Sequence, residues 1–256
     1  MEELDMRMYQ DYWKQASTSG QRYKDPSFLN LKAQEHIQII RGPDDSLYET
    51  IVDLGCGFGE VLAAYLNNGL DIQKAIDYSP RAVEKAKKLC QNFPISIVTS
   101  DALEYICQVD SQLIIACQSV NQYLDSESLK RLVASFSANP SCKRLILFDT
   151  ICPLRYLATT IFPVYVRYDS NPFPLSMSGA LLRSLRYSAT LFVSCFGLAK
   201  YGSIQLSGPS MGFAYSPIFF RSIAKEMGLM VNLYSSRFYE YRFHVDIMKP
   251  VPESTS

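Results

Sequence analysis

Residues Ile51-Val52-Asp53-Leu54-Gly55-Cys56-Gly57-Phe58-Gly59-Glu60 decide how the rest of this chain is read. A short apolar run ends in Asp53, a glycine turn follows, and Val61–Leu66 reads as the start of a helix. Strand, glycine-rich turn and helix bring backbone N–H groups and a helix N-terminus close to a ligand over the strand ends. A Cβ at Gly55, Gly57 or Gly59 would block that approach or forbid the angles of the turn. A dinucleotide-binding turn, G-x-G-x-x-G, needs its third glycine at position 60, where Glu60 stands. Asp53, two residues ahead of the first glycine, is a carboxylate that a mere connection has no use for. The pattern points to a nucleoside-type cofactor.

Outward from this stretch the chain alternates. Gln73–Asp77, Ile95–Thr99, Gln112–Cys117 and Arg144–Phe148 read as short strands, the last ending at Asp149. Ser79-Pro80 starts a helix over Pro80–Cys90 with a hydroxyl N-cap and proline at N1, and Ser126–Ser137 reads as another. Ser216-Pro217 opens a helix over Ile218–Met227 that stops at Gly228. Two β-rich runs follow, Leu229–Phe238 and Tyr241–Met248, close enough for an antiparallel hairpin, and the tail 250–256 reads as disordered. Strand and helix in alternation imply parallel strands joined by right-handed crossovers. The expected fold is α/β, doubly wound, with a mostly parallel seven-stranded sheet.

One stretch breaks the rhythm. Between the fifth strand and the last helix lies an insertion, residues 151–215, where a short crossover would suffice. Its five basic residues, Arg155, Arg167, Arg183, Arg186 and Lys200, face Asp169 alone, a surplus of four. Aromatic residues crowd it. Apolar residues from Met177 to Phe196 follow helical spacing, with Arg183, Arg186 and Tyr187 off that stripe.

The bulk composition is that of an ordinary globular protein: 48% hydrophobic, with 25 basic and 25 acidic residues. Net neutrality argues against nucleic acid as the main partner. The seven cysteines stand singly, without C-x-x-C or other metal-ligand spacing, so reduced core thiols and no metal site are expected. The acidic start, Met1-Glu2-Glu3-Leu4-Asp5, lacks the apolar core of a signal peptide, and Tyr187–Ala199 is too short to span a bilayer. A cytoplasmic location is expected.

The Asp53–Glu60 motif resembles the first motif of the class I S-adenosylmethionine-dependent methyltransferases, with likeness over roughly residues 47–150 and 215–249. That resemblance implies S-adenosylmethionine as cofactor, bordered by Asp53, Gly55, Cys56, Gly57 and Gly59. It places Asp77, 18 residues beyond Gly59, on the ribose hydroxyls and Tyr78 on the adenine. Asp101 and the N–H of Ala102 would contact the base, although Asp101 could equally cap a helix. Gln118 and Ser119 would lie near the reacting methyl. The aromatic run with Tyr9, Tyr12 and Trp13 looks like the family's N-terminal lid helix, and Arg22 would pair with the cofactor carboxylate. The implied organisation is an N-terminal helical lid segment (1–46), a cofactor core (47–150), a substrate cap (151–215) and the last part of the core (216–249).

The expected activity is methylation, on oxygen or nitrogen, of a small and largely apolar acceptor. No motif selects a general base: Tyr123, Tyr215 and His244 are candidates, although a lone strand histidine is more often a satisfied core residue. Ser119, Tyr123, Arg183, Arg186 and Tyr187 are candidates for acceptor contact. Rival readings are a catalytically silent binding partner, an aminopropyl transferase on the same fold, and a membrane-surface lipid or quinone methyltransferase. The basic, aromatic insertion suits a lid over an anionic acceptor, or an amphipathic helix on an anionic membrane surface. The lid is favoured, because an insertion after the fifth strand lies over the strand ends.

Overall fold

The computed structural model describes residues 25–42, 48, 50–116, 120–156, 203–206, 212–239 and 241–250. Helix α1 (Pro26–Arg41) starts at Pro26 because Asp25 caps it: its carboxylate accepts from Ser27 N at 2.9 Å and proline occupies the first turn. The elements β1 (Ile51–Leu54), α2 (Glu60–Asn67), β2 (Lys74–Asp77), α3 (Pro80–Leu89) and β3 (Ser96–Thr99) follow in alternation. Then come α4 (Ala102–Tyr105), β4 (Leu113–Ala116), α5 (Ser126–Ala138) and β5 (Arg144–Ile151). After the insertion stand β6 (Ser203–Gln205), β7 (Phe213–Tyr215), α6 (Pro217–Glu226), β8 (Met230–Ser235) and β9 (Arg242–Met248).

Seven strands form one sheet in the order β3-β2-β1-β4-β5-β9-β8. The first five are mutually parallel, and β9 runs antiparallel to both β5 and β8. The expected doubly wound, mostly parallel sheet and its C-terminal antiparallel hairpin are both present. The chain crosses from β3 back to β4 on the far side of β1, so the topological switch point lies between β1 and β4.

Strand alternation divides the core into two layers. Val52, Leu54, Ile114, Ala116, Leu145 and Leu147 face α5 and α6, meeting Leu129, Leu132, Phe136, Phe220 and Ile223. Ile51, Ile115, Ile146 and Phe148 face the other way, toward α1, α2 and α3 with Ile37, Leu62, Tyr65 and Ala86. Arg144 locks α1 to the sheet: it grips Asp246 bidentately at 2.7 and 2.9 Å and donates to the α1 carbonyls Ile39 O and Ile40 O. A cation at a helix C-terminus also complements the helix dipole.

The ladder between β5 and β9 slips once. Leu147 pairs with Val245 and Thr150 with Phe243, so Phe148 and Asp149 together oppose His244. Asp149 adopts a left-handed backbone, φ 57°, and β5 runs through it to Ile151 rather than ending there. β6 and β7 form a separate antiparallel pair inside the expected insertion. The expected helix over Met177–Phe196, with Arg183, Arg186 and Tyr187, lies outside the described residues, as do Tyr9, Tyr12, Trp13, Arg22, Gln118, Ser119 and the tail 251–256. Among the described residues no helix is long and apolar enough to cross a membrane.

Candidate cofactor site and a buried polar cluster

The glycine turn is sewn to the end of β2. Gly55 N and Cys56 N both donate to Ile76 O, at 2.8 and 2.9 Å. Gly57 N donates to Asp77 Oδ2 at 2.9 Å, and Ser79 N to Asp77 Oδ1 at 2.9 Å. One buried carboxylate therefore fixes the middle of the turn and the entry to α3 together. Each of its oxygens keeps a second lone pair for a hydroxyl donor.

The glycines of the turn divide the work. A Cβ on Gly59 would lie 2.8 Å from Ala86 Cα and 2.9 Å from Ala86 Cβ, so Gly59, at φ 89°, lets α2 and α3 close together. A Cβ on Gly57 would meet nothing within 4 Å. The space over Gly57 is open, on the side where a ligand over the strand ends has to sit.

Asp53 lies beneath the turn, 2% exposed, and its Oδ1 has no hydrogen-bond partner. Burial, with Asp77 nearby, pushes its carboxyl up to about 7. Burial raises Asp77 too, against the two backbone N–H groups that stabilise its charge. The Cys56 thiol is driven well above its ordinary value by burial and by Asp53 and Asp77, so it is no nucleophile. Tyr78 stands half-buried beside Asp77. Asp101 takes the helix-cap geometry: Oδ1 accepts from Leu103 N at 2.8 Å and Glu104 N at 3.4 Å, at the start of α4 where Ala102 lies. Neither bond uses its Oδ2.

The candidate bases fare differently. Tyr215 is fully buried, its hydroxyl donates to Leu124 O, and burial then Asp125 raise it well above its ordinary value. His244 is fully buried in β9. Tyr123 stands half-buried on the loop after β4.

Sequence reasoning missed a cluster on the α1 face of the sheet. Lys32, Glu35 and His36 lie on the buried stripe of α1 that also carries Ala33, Ile37 and Ile40. Lys32 forms an ion pair with Asp149, their side chains 1% and 2% exposed. His36 stacks on Phe148 at 3.9 Å and shares a hydrogen bond of 2.5 Å with Tyr65. Glu35 accepts from Arg237 N at 2.6 Å, and Arg242 donates to Asp149 O at 3.0 Å. The β-bulge brings Phe148 and Asp149, consecutive in sequence, against the same histidine. Burial alone would raise the Asp149 carboxyl, but Lys32 first, then His36, His244 and Arg242, hold it well below the usual carboxylate range. Burial likewise lowers His36 well below its ordinary value, opposed by Asp149. The available signal was the i, i+3, i+4 spacing of three polar residues on an otherwise apolar helix stripe.

Glu35, His36 and His244 each offer a donor atom, all within 4.8 Å of one another. Glu35 Oε2, His36 Nε2 and His244 Nε2 are buried without a hydrogen-bond partner. Asp149 N donates to His244 Nδ1 at 3.1 Å, so neutral His244 carries its proton on Nε2, which is the atom that would have to ligate. Lys32 balances the charge of Asp149.

The comparisons with known proteins agree with the motif and the sheet. Residues 51–139 match the family model described as "Methyltransferase domain". Magnesium protoporphyrin IX methyltransferase from Synechocystis PCC 6803, solved with bound SAH, superposes with a TM-score of 0.55 at 14% identity, covering 96% of this chain and 100% of that one. The plantazolicin methyltransferase BpumL, also in complex with SAH, gives a TM-score of 0.60 at 12% identity, over 97% and 96%. The mitomycin 7-O-methyltransferase MmcR gives 0.50 at 18% identity, over 89% of this chain and 58% of that one. No curated protein sequence matches the chain. Residues 51–139 thus match a methyltransferase-domain model, and the fold is the one these solved methyltransferases share.

Proposed function

We propose that this chain is a methyltransferase that binds S-adenosylmethionine and methylates the oxygen or nitrogen of a small, largely apolar acceptor. The observation that carries the reading is Asp77, whose carboxylate holds Gly57 N and Ser79 N beside open space over Gly57 and an unpartnered Asp53 Oδ1. These residues fit the cofactor. Asp77 would take the ribose hydroxyls, Tyr78 the adenine face, Asp101 and Ala102 the base edge, and Asp53 with Gly55, Cys56, Gly57 and Gly59 the side of the turn. The cofactor supplies a methyl group already activated for in-line displacement. The protein's part is to align acceptor and donor and to exclude water, which can carry much of the barrier reduction. A base is needed only for an acceptor that arrives protonated, and Tyr123 is our candidate for it.

Titration calorimetry with S-adenosylmethionine tests the reading. Gly57→Val should abolish binding with the fold kept, and Asp77→Ala should weaken it by about 1.5–3 kcal/mol, the scale of a hydrogen bond to a charged group. Unchanged affinity in both variants overturns the assignment.

For residues 151–215 the proposal is a substrate lid, supported by the contact of β7 with the loop after β4. Amide exchange across residues 176–197 should slow when S-adenosylhomocysteine and an acceptor are added without lipid. A lipid or quinone methyltransferase working at a membrane surface would instead sediment with anionic liposomes, and less so at high salt.

A further inference from the structure

The loop after β4 is held at three points by elements that do not belong to the cofactor turn. Asn121, fully buried, donates through Nδ2 to Phe148 O at 3.2 Å and to Thr150 Oγ1 at 2.6 Å, tying the loop to β5 across the bulge. Its amide orientation follows from chemistry, since a flipped group would turn Oδ1 against the Phe148 carbonyl. Phe213 N, at the start of β7, donates to Gln122 O at 2.7 Å. Tyr215, at the end of β7, donates from its hydroxyl to Leu124 O. One strand of the insertion, β7, therefore holds the loop at Gln122 and Leu124, while Asn121 ties the same loop to β5.

Gly212 makes that approach possible. A Cβ there would lie 2.0 Å from Gln122 O and 2.9 Å from Gln122 C, at φ 63°. No rotamer change relieves a clash between two backbones. The hairpin docks on the loop only because this position has no side chain.

The loop begins at the switch point between β1 and β4, where ligands of this fold sit. With the ribose assigned to Asp77 at the end of β2, the rest of the cofactor extends across β1 toward β4, so the loop borders its amino-acid half. We propose that the β6–β7 hairpin and Asn121 form a clamp that positions the loop after β4 against the amino-acid half of the cofactor. Asn121, Gly212 and Tyr215 are its positioning residues. Strand β7 thereby acts on the donor end of the site. This inference rests on the cofactor reading given above.

Two commercial ligands separate the clamp from a merely structural role. S-adenosylhomocysteine carries the amino-acid half, and 5′-methylthioadenosine lacks it while keeping base, ribose and sulfur. Calorimetry on the full chain should show Gly212→Ala weakening S-adenosylhomocysteine by about tenfold, the scale of one well-placed hydrogen bond. Binding of 5′-methylthioadenosine should stay within about twofold of wild type on the same grounds. Tyr215→Phe, which keeps the ring and removes only the hydroxyl, should show the same selectivity at a few-fold level, and it serves if Gly212→Ala does not fold. Equal losses for both ligands, or none for either, overturn the clamp while leaving the cofactor reading intact. A wild type that binds neither ligand overturns both.

Discussion

Lys32 on α1 and Asp149 in the β5 bulge form an ion pair sealed from solvent, with side chains 1% and 2% exposed. Such a pair is worth little over an apolar substitute, yet breaking one side of it leaves a buried, uncompensated charge. Lys32→Met should therefore cost about 3–5 kcal/mol in urea denaturation. The double variant Lys32→Met/Asp149→Asn should recover most of that loss, because asparagine tolerates the left-handed backbone and brings no charge. A single-variant cost below about 1 kcal/mol, the scale of an exposed pair, would contradict the sealed pair.

His36 faces Lys32 and Glu35 on its own helix, Tyr65 on α2, Asp149 on β5 and His244 on β9. Its pKa is lowered in the fold, so below its unfolded value of about 6.5 the unfolded chain holds the extra proton. Its contribution is present above that pH and is lost as pH falls toward the folded value. Asp53 works in the opposite sense, because its raised carboxyl favours the fold as pH falls from about 7. The informative quantity is thus a difference between proteins. His36→Asn should gain on wild type between pH 7 and pH 5, by about 1–2 kcal/mol. An equal gap at both pH values would remove His36 from the account.

Cofactor affinity should follow Asp53. With its carboxyl at about 7, Asp53 is half protonated near neutrality, and a cationic donor favours the charged form. S-adenosylmethionine should bind more tightly as pH rises through that value, by up to about tenfold per pH unit below it. Asp53→Asn should flatten the profile. Proton release on binding, measured by calorimetry in buffers of different ionisation enthalpy, checks the same coupling.

The turn glycines should fail in different ways. Gly59→Ala drives a Cβ into the backbone of Ala86 and should cost stability first, about 1–3 kcal/mol for the overpacking alone. Gly57→Ala meets open space and should cost only the left-handed backbone, about 1–2 kcal/mol, while still weakening the cofactor. Matching melting temperatures for the two would contradict the division of roles.

The strand, glycine turn and β2 carboxylate were legible because they are local. Asp53, the glycine turn and Asp77 fall within one strand–helix–strand unit, and the spacing of each residue follows from that unit. The Ser-Pro pairs at Ser79 and Ser216 announced two helices through cap chemistry, and Asp25-Pro26 carries the same signal for α1. What stayed hidden is non-local. Nothing near Asp149 in sequence announces Lys32, and only the one-residue slip opposite His244 turns the Asp149 side chain toward α1. The burial of Tyr215 and His244 was hidden as well, because a tyrosine or histidine reads alike whether its partner is solvent, a carbonyl or another strand. The hairpin β6–β7 was hidden by its shortness and by the basic, aromatic stretch that precedes it.

The strand order carries a consequence for biosynthesis. β9 is the last strand of the sheet to be synthesised, yet it lies between β5 and β8 and supplies Asp246 to Arg144 and His244 to the bulge. A nascent chain stalled ahead of Arg242 can assemble β3-β2-β1-β4-β5, but β8 has no strand to pair with and the open edge of β5 stays exposed. Pairings between strands so far apart in sequence form slowly. The unpaired edge of β5 is thus the segment a chaperone would have to shield until the final strand leaves the ribosome.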